Sequence, residues 1–408
     1  MTMSNLDNKF CIIPFNSLSI SPRGIIRPCC VMYSQSMVNL TNVKSAETSI
    51  SWPTKQINDL RHKMVGEDVE KNTPECRWCW VSENSGIESM REKTNKFWFN
   101  RLGESGIQDL IKNPNLNVLD LQFGHLCNLS CIMCNASLSS HMHSTKLKLV
   151  EIATDKVQKE KYKHSVDYLK DNLDWTLDPK SYEKVLELCK TITEIKISGG
   201  EPMFNPKFKH FLRYLVEKEF PLYRLNLTTN ATVCDDEVIE LINRIPHVTI
   251  KISMESVERE DEFIRWPTKW ETKDLVIKKL LSRINKNEHL QFLISSCIQS
   301  LNLFSFDKIN NYVESLDNTK IIIQQQSVVP ADTAALWHAD VDYINEYLNT
   351  VNKDKHHKVN NYAIDTLSFK EKRTKEQVLY FTDMAKIQGK SLKDEFPIYW
   401  KYHEKYLK

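Results

Sequence analysis

Between residues 118 and 326 short apolar runs alternate with amphipathic stretches of helical period. The runs at 118–123, 194–198, 224–228, 248–254, 290–297 and 320–326 have the length and β-branched content of buried strands. The stretches at 206–218, 235–244, 273–285 and 306–316 place apolar residues every three to four positions, as a helix with one buried face requires. Repeated strand–helix units predict an α/β fold, a parallel sheet joined by right-handed crossovers. The flanks follow other rhythms. Before position 110, alternating residues around Pro22-Arg23-Gly24 predict a β-hairpin, with Cys11 ahead of it and Cys29-Cys30 behind it. A short helix is expected near 56–65 and another after Arg91. Between Cys134 and the second strand, residues 146–170 predict a long charged helix with a loop. Residues 331–408 are polar, lysine-rich and helical in period, with a break near 352–361. Three parts follow: 1–110, 111–330 and a helical extension, 331–408.

Composition narrows the class. Of the 408 residues 41% are hydrophobic and 26% charged, which is the balance of a globular protein. A net charge of +2 leaves no basic field for nucleic acid or an anionic membrane. There is no apolar run of membrane-spanning length, and the polar start MTMSNLDNKF lacks a signal-peptide core, so a cytoplasmic location is expected. In a reducing compartment the eleven cysteines read as metal ligands or free thiols rather than disulfides.

Chemistry concentrates where strands end. Directly after the first run comes Cys127-Asn-Leu-Ser-Cys131-Ile-Met-Cys134, a C-x3-C-x2-C loop. Three thiolates can hold three corners of a four-iron, four-sulfur (4Fe-4S) cluster, which normally takes four, and leave one iron open for an exogenous ligand. A zinc knuckle with His125 as fourth ligand is the alternative on spacing alone. The triplet resembles the signature of the radical S-adenosylmethionine (radical SAM) superfamily, with Met133 where that family has an aromatic residue. The resemblance implies a partial (βα)6 TIM-like barrel, and in barrels of this kind functional residues gather at the C-terminal strand ends.

Those ends carry further likenesses. Ser198-Gly199-Gly200-Glu201-Pro202 resembles the family's GGE motif, which implies contacts from Gly199, Gly200 and Glu201 to the amino group of S-adenosylmethionine (SAM). Thr228-Thr229-Asn230 resembles its Thr-Asn ending. Ser253-Met254-Glu255, followed by Phe263-Ile264-Arg265, resembles its Ser-x-Asp and Tyr-Ile-Arg pair, with Glu255 replacing aspartate. The implied SAM contacts are Ser253 to the methionine carboxylate or ribose, Glu255 to a ribose hydroxyl and Arg265 to the carboxylate, whose shape suits a guanidinium fork. Met133 and Asn230 complete the implied cofactor set.

In the N-terminal part Cys11, Gly24 and Cys29 are spaced as in the first half of the SPASM/twitch auxiliary-cluster motif, placed here before the barrel. With Cys76 and Cys79 they form a four-thiolate set, and Cys30 could replace Cys29. Such a set suits an Fe–S cluster, of the 4Fe-4S type by what the resemblance implies, or zinc. The resemblance therefore implies an enzyme that cleaves SAM reductively and abstracts hydrogen from a substrate. It implies a peptide or protein substrate, a maturase-type modification and an electron donor such as flavodoxin or ferredoxin. A small-metabolite substrate, and a non-catalytic zinc or Fe–S protein, are the alternative readings.

Overall fold

The computed structural model describes residues 8–32, 42–45, 50, 52–84, 88–167, 174–217, 222–284, 289–316, 321–327, 333–351, 356–368, 370 and 372–408. Positions 168–170, 218, 285 and 320 of the expected elements, and 352–355 of the expected break, lie outside them. In chain order the strands are β1 Ser17–Ile20, β2 Ile26–Arg27, β3 Val118–Gln122, β4 Glu194–Ser198, β5 Arg224–Thr229, β6 His247–Ser253, β7 His289–Ile298 and β8 Ile321–Ser327. The longer helices up to β4 are α1 Lys55–Met64, α2 Arg77–Asn84, α3 Met90–Lys112, α4 Ser140–Ile152, α5 Lys156–Asp167 and α6 Pro179–Leu188. Beyond β4 come α7 Pro206–Glu217, α8 Asp236–Ile242, α9 Glu258–Ile264, α10 Trp270–Arg283 and α11 Phe306–Ser315, then α12 Val341–Thr350, α13 His357–Leu367, α14 Thr374–Ile387 and α15 Pro397–His403. The strand–helix alternation from β3 to β8 is that of the expected partial barrel.

The chain forms two compact units. One comprises residues 1–124, 173–199 and 207–226, the other 125–172, 200–206 and 227–408. In the first, the strand order is β2-β1-β3-β4. β1 and β2 form the expected antiparallel hairpin, and β1 also runs parallel to β3, which the hairpin pattern did not foretell. β3 and β4 are parallel and end level, Gln122 opposite Ser198, so the chain leaves both at one height. Phe123, fully buried, packs edge-on against Trp175, Phe208 and Phe211, with ring centroids 5.2–5.6 Å apart.

In the second unit β6, β7 and β8 run parallel in that order. Two expectations need correction. The charged helix of 146–170 is two helices: Ser139 caps α4 ahead of the expected start, and Asp155 Oδ1 accepts from Gln158 N (2.9 Å) to begin α5. In the tail, 357–361 of the expected break are helical, within α13, and α14 ends at Ile387 ahead of Gly389, which takes a positive φ of 65°. Its N–H bonds Lys386 O and that of Lys390 bonds Ala385 O, the paired bonds of a Schellman end.

Candidate metal centres

The cysteine loop follows β3 and is fastened on three sides before any metal is considered. Ser130 N donates to Trp266 O (2.6 Å) and Ile132 N to Ile264 O (2.8 Å), which ties the loop to the end of α9. The start of α4 supplies the second side: Ser139 Oγ donates to Leu129 O (2.6 Å), and Cys127 N donates to Ser140 Oγ (3.1 Å). On the third side the buried Tyr380 of α14 donates its hydroxyl to Ile132 O (2.8 Å). Ser130 Oγ completes a hydrogen-bonded chain with the half-buried His141 Nδ1 and the buried Thr145 Oγ1, each at 2.7 Å. His125, the zinc alternative's fourth ligand, spends its carbonyl on Ser140 N.

The glycine pair is shaped by the same loop. Gly200 approaches the chain just before Cys127 so closely that a Cβ would lie 2.2 Å from Leu126 O. Gly199, with φ +120°, would place one 2.6 Å from Phe123 N. No other residue fits either position without moving backbone. Glu201 is buried; its carboxylate accepts from Met203 N (3.1 Å), Thr229 Oγ1 (2.8 Å) and Asn230 N (2.5 Å). Burial pushes its pKa up to about 7 against those hydrogen bonds. Asn230 reaches back to the cysteine loop, donating to Asn128 Oδ1 (3.0 Å) and accepting from Thr232 N (3.0 Å).

At the ends of β6 and β7 sits a buried charged group. Arg265 makes an ion pair with Glu255 and directs Nη1 at Cys131 Sγ, 3.6 Å away. Glu255, with no exposed surface, also accepts from Cys297 N (2.7 Å) and Asn302 Nδ2 (3.4 Å). Its own N–H donates to Asp261 Oδ1 (2.9 Å), and Asp261 pairs with Lys273, both fully buried. Ser253 closes β6, half-buried. Met133 Sδ lies 3.9 Å from Gln299 Nε2. Two buried polar atoms here, Gln299 Oε1 and Arg265 Nε, have no protein partner. Orphans of this kind call for a polar ligand, so the residues present fit a bound SAM.

In the first unit Cys11, Cys29, Cys76 and Cys79 line one cavity with Ile13, Val31, Met32, Trp80 and Arg91. Cys30 is turned away toward Asp120 of β3, its thiol pKa raised well above the usual value by burial and then by that carboxylate. The cavity holds Cys29 up at about 12, mainly by burial. Arg91 supplies a positive charge: it forks onto Glu83 (2.8 Å to each oxygen) and donates to Phe10 O (2.8 Å). Among the described residues no three His, Cys, Asp or Glu side chains converge tightly enough to hold a single metal ion. A four-iron cluster does not ask for that, because its thiolates bind different irons.

The sequence reading named the cysteines and the motif residues but not the groups that fasten them. Ser139, Ser140, Tyr380, Asn302 and Arg91 carry no motif. Only the helix-capping pattern at Ser139 offered a signal.

Sequence models of known families agree with this layout: the radical SAM superfamily matches residues 121–287, and the SPASM iron–sulfur cluster-binding domain matches 11–80. No curated protein matches the chain. Among solved structures, Streptococcus suis SuiB bound to S-adenosylmethionine is similar at 12% identity, over 86% of this chain and 70% of that one, with a TM-score of 0.38. Native anSMEcpe with bound AdoMet and Cp18Cys peptide is similar at 13% identity, over 59% and 61%, with a TM-score of 0.33. The radical S-adenosylmethionine methyltransferase TsrM from Kitasatospora setae gives 12%, 38%, 30% and 0.29.

Proposed function

The chain carries a radical SAM domain and an iron–sulfur cluster-binding SPASM domain, and from that premise we propose that it is a SAM-cleaving enzyme whose substrate is a peptide or protein. The observation that carries the reading is the cysteine loop: three thiols on a loop held by protein bonds, with a buried guanidinium at one of them. Cys127, Cys131 and Cys134 would hold the catalytic cluster. When bound and reduced by its donor, the cluster would supply one electron for the reductive cleavage of SAM, the chemistry by which hydrogen is taken from a substrate.

The chain's own groups bind and orient. Glu201 accepts hydrogen bonds from the SAM ammonium, which offsets the burial that now raises its pKa. Gly200 keeps that acid against the loop. Gly199 and Met133 shape the contact surface, Asn230 braces the loop through Asn128, and Ser253 faces the ribose side. The unpartnered Nε of Arg265 takes the SAM carboxylate. Cys11, Cys29, Cys76 and Cys79 hold the auxiliary cluster, with Cys30 left out. The domain limits we propose are 1–110 for the auxiliary domain, 111–330 for the barrel and 331–408 for the helical extension.

A peptide substrate is supported by the SPASM domain, since relatives that carry one often modify peptides. This step rests on analogy. A flavodoxin or ferredoxin as donor, and a cytoplasmic location, belong to the same proposal; no helix among the described residues is long and apolar enough to cross a membrane.

The test is 5′-deoxyadenosine release by air-free protein under dithionite. Replacing Cys127, Cys131 and Cys134 together by alanine should abolish it. Nucleoside release undiminished in that variant sinks the proposal. A short peptide encoded beside the gene, and modified by the protein, would support the substrate class; a metabolite modified instead would overturn it.

A further inference from the structure

Resting on the proposed cluster site, we infer that Asn302, Glu255 and Arg265 form a buried relay that sets the reduction potential of the catalytic cluster through Cys131, in addition to any contact with SAM.

The resemblance implies that Glu255 and Arg265 face SAM. Their bonds here run elsewhere. Both oxygens of Glu255 are committed to protein: one to Arg265, the other to Cys297 N and Asn302 Nδ2. Asn302 is itself fixed. Its Oδ1 accepts from Gln299 N (2.9 Å), and its Nδ2 also reaches Glu255 O (3.0 Å) and Cys297 O (2.9 Å). The relay is fully buried at Asn302 and Glu255, and Arg265 is 8% exposed. Its far end is Nη1 of Arg265 at the Cys131 sulfur.

A hydrogen bond from a cation to a ligating thiolate stabilises the more negative, reduced cluster, and hydrogen bonds to sulfur are among the protein's means of setting that potential. The surrounding low dielectric magnifies the effect. Arg265 brings a positive charge to hydrogen-bond distance of the Cys131 sulfur, and Glu255, paired with it, brings a negative charge just behind. The two charges therefore act on the sulfur with opposite sign. Arg265 alone would hold the cluster at a higher potential; Glu255 both aims it and tempers it. Asp261 and Lys273 form a second, mutually neutralising pair beneath them.

The experiment measures the midpoint potential of the catalytic cluster by EPR-monitored titration with no SAM present, in full-length air-free protein. Arg265→Gln should lower it, with about a tenfold smaller reduced-to-oxidised ratio at fixed solution potential, about 59 mV for one electron. Glu255→Gln, which keeps an oxygen acceptor but drops the charge, should raise it. If one variant fails to fold, the sign of the other decides. Wild-type potentials in the variants that load a cluster, or shifts of one sign in both, overturn the inference: the residues then serve SAM alone, or the site has merely loosened. The functional reading survives that result so long as wild-type protein still loads the cluster and cleaves SAM. Absence of a cluster on the triplet in wild-type protein overturns both.

Discussion

Gly200 and Glu201 are adjacent yet meet opposite demands. A methyl group at 200 collides with Leu126 O at 2.2 Å, a backbone atom that cannot swing aside. Gly200→Ala should therefore destabilise the fold by about 3 kcal/mol, the upper range for forced overpacking, and reduce iron loading at the triplet; urea unfolding and iron analysis check it. For Glu201 the demand is electrostatic. Its pKa is raised from 4.5 to about 7, chiefly by burial. Folded protein thus holds this proton more tightly than the unfolded chain. The group's favourable contribution is full below pH 4.5 and is lost as pH rises to 7. In SAM-free protein the loss amounts to about 3 kcal/mol across that window, and Glu201→Gln should flatten it in urea titrations run at several pH values. At this scale the sequence was most legible where function requires a residue type at fixed spacing: the triplet and the Gly-Gly-Glu turn. It was least legible between Cys29 and Cys30. Neighbouring thiols differ only in which way the chain turns them, and Asp120, ninety residues on, is what faces the second.

Helix α14 shows what an element can add without a motif. Its pattern announced only a packing surface, and it does bury Val378, Phe381 and Met384. Among them, though, Tyr380 bonds Ile132 O inside the cysteine loop, and Gln388 Nε2 donates to Phe263 O (3.0 Å) near Arg265. Tyr380→Phe leaves a buried carbonyl short of its donor and should cost about 1 kcal/mol in urea unfolding. The matched control, Tyr162→Phe, removes a 3.3 Å bond to Asp383 that does not touch the loop. It should leave the cluster's EPR spectrum unchanged, whereas Tyr380→Phe alters it; identical spectra in both variants argue against the tie. The strands were readable because apolar runs of five to eight residues bounded by polar turns leave few choices. The parallel pairing of β1 with β3 was not, because it joins segments a hundred residues apart and only the fold supplies that contact.

Across the whole chain the two cysteine sets differ in how they are assembled. The triplet comes from eight consecutive residues. The N-terminal four come from three separated segments that meet around one cavity beside Arg91. Cys76→Ala should therefore lower iron from about eight per chain toward about four while SAM cleavage persists without substrate turnover. Insoluble protein in that variant would instead assign the N-terminal cluster a bracing role. The contrast in assembly also governs maturation. Ties on the triplet loop run from protein to protein, among them those through Trp266, Ile264, Ser139, Ser140 and Tyr380. None of these ties needs iron, so the amides of Ser130 and Ile132 should resist deuterium as strand amides do, with or without iron.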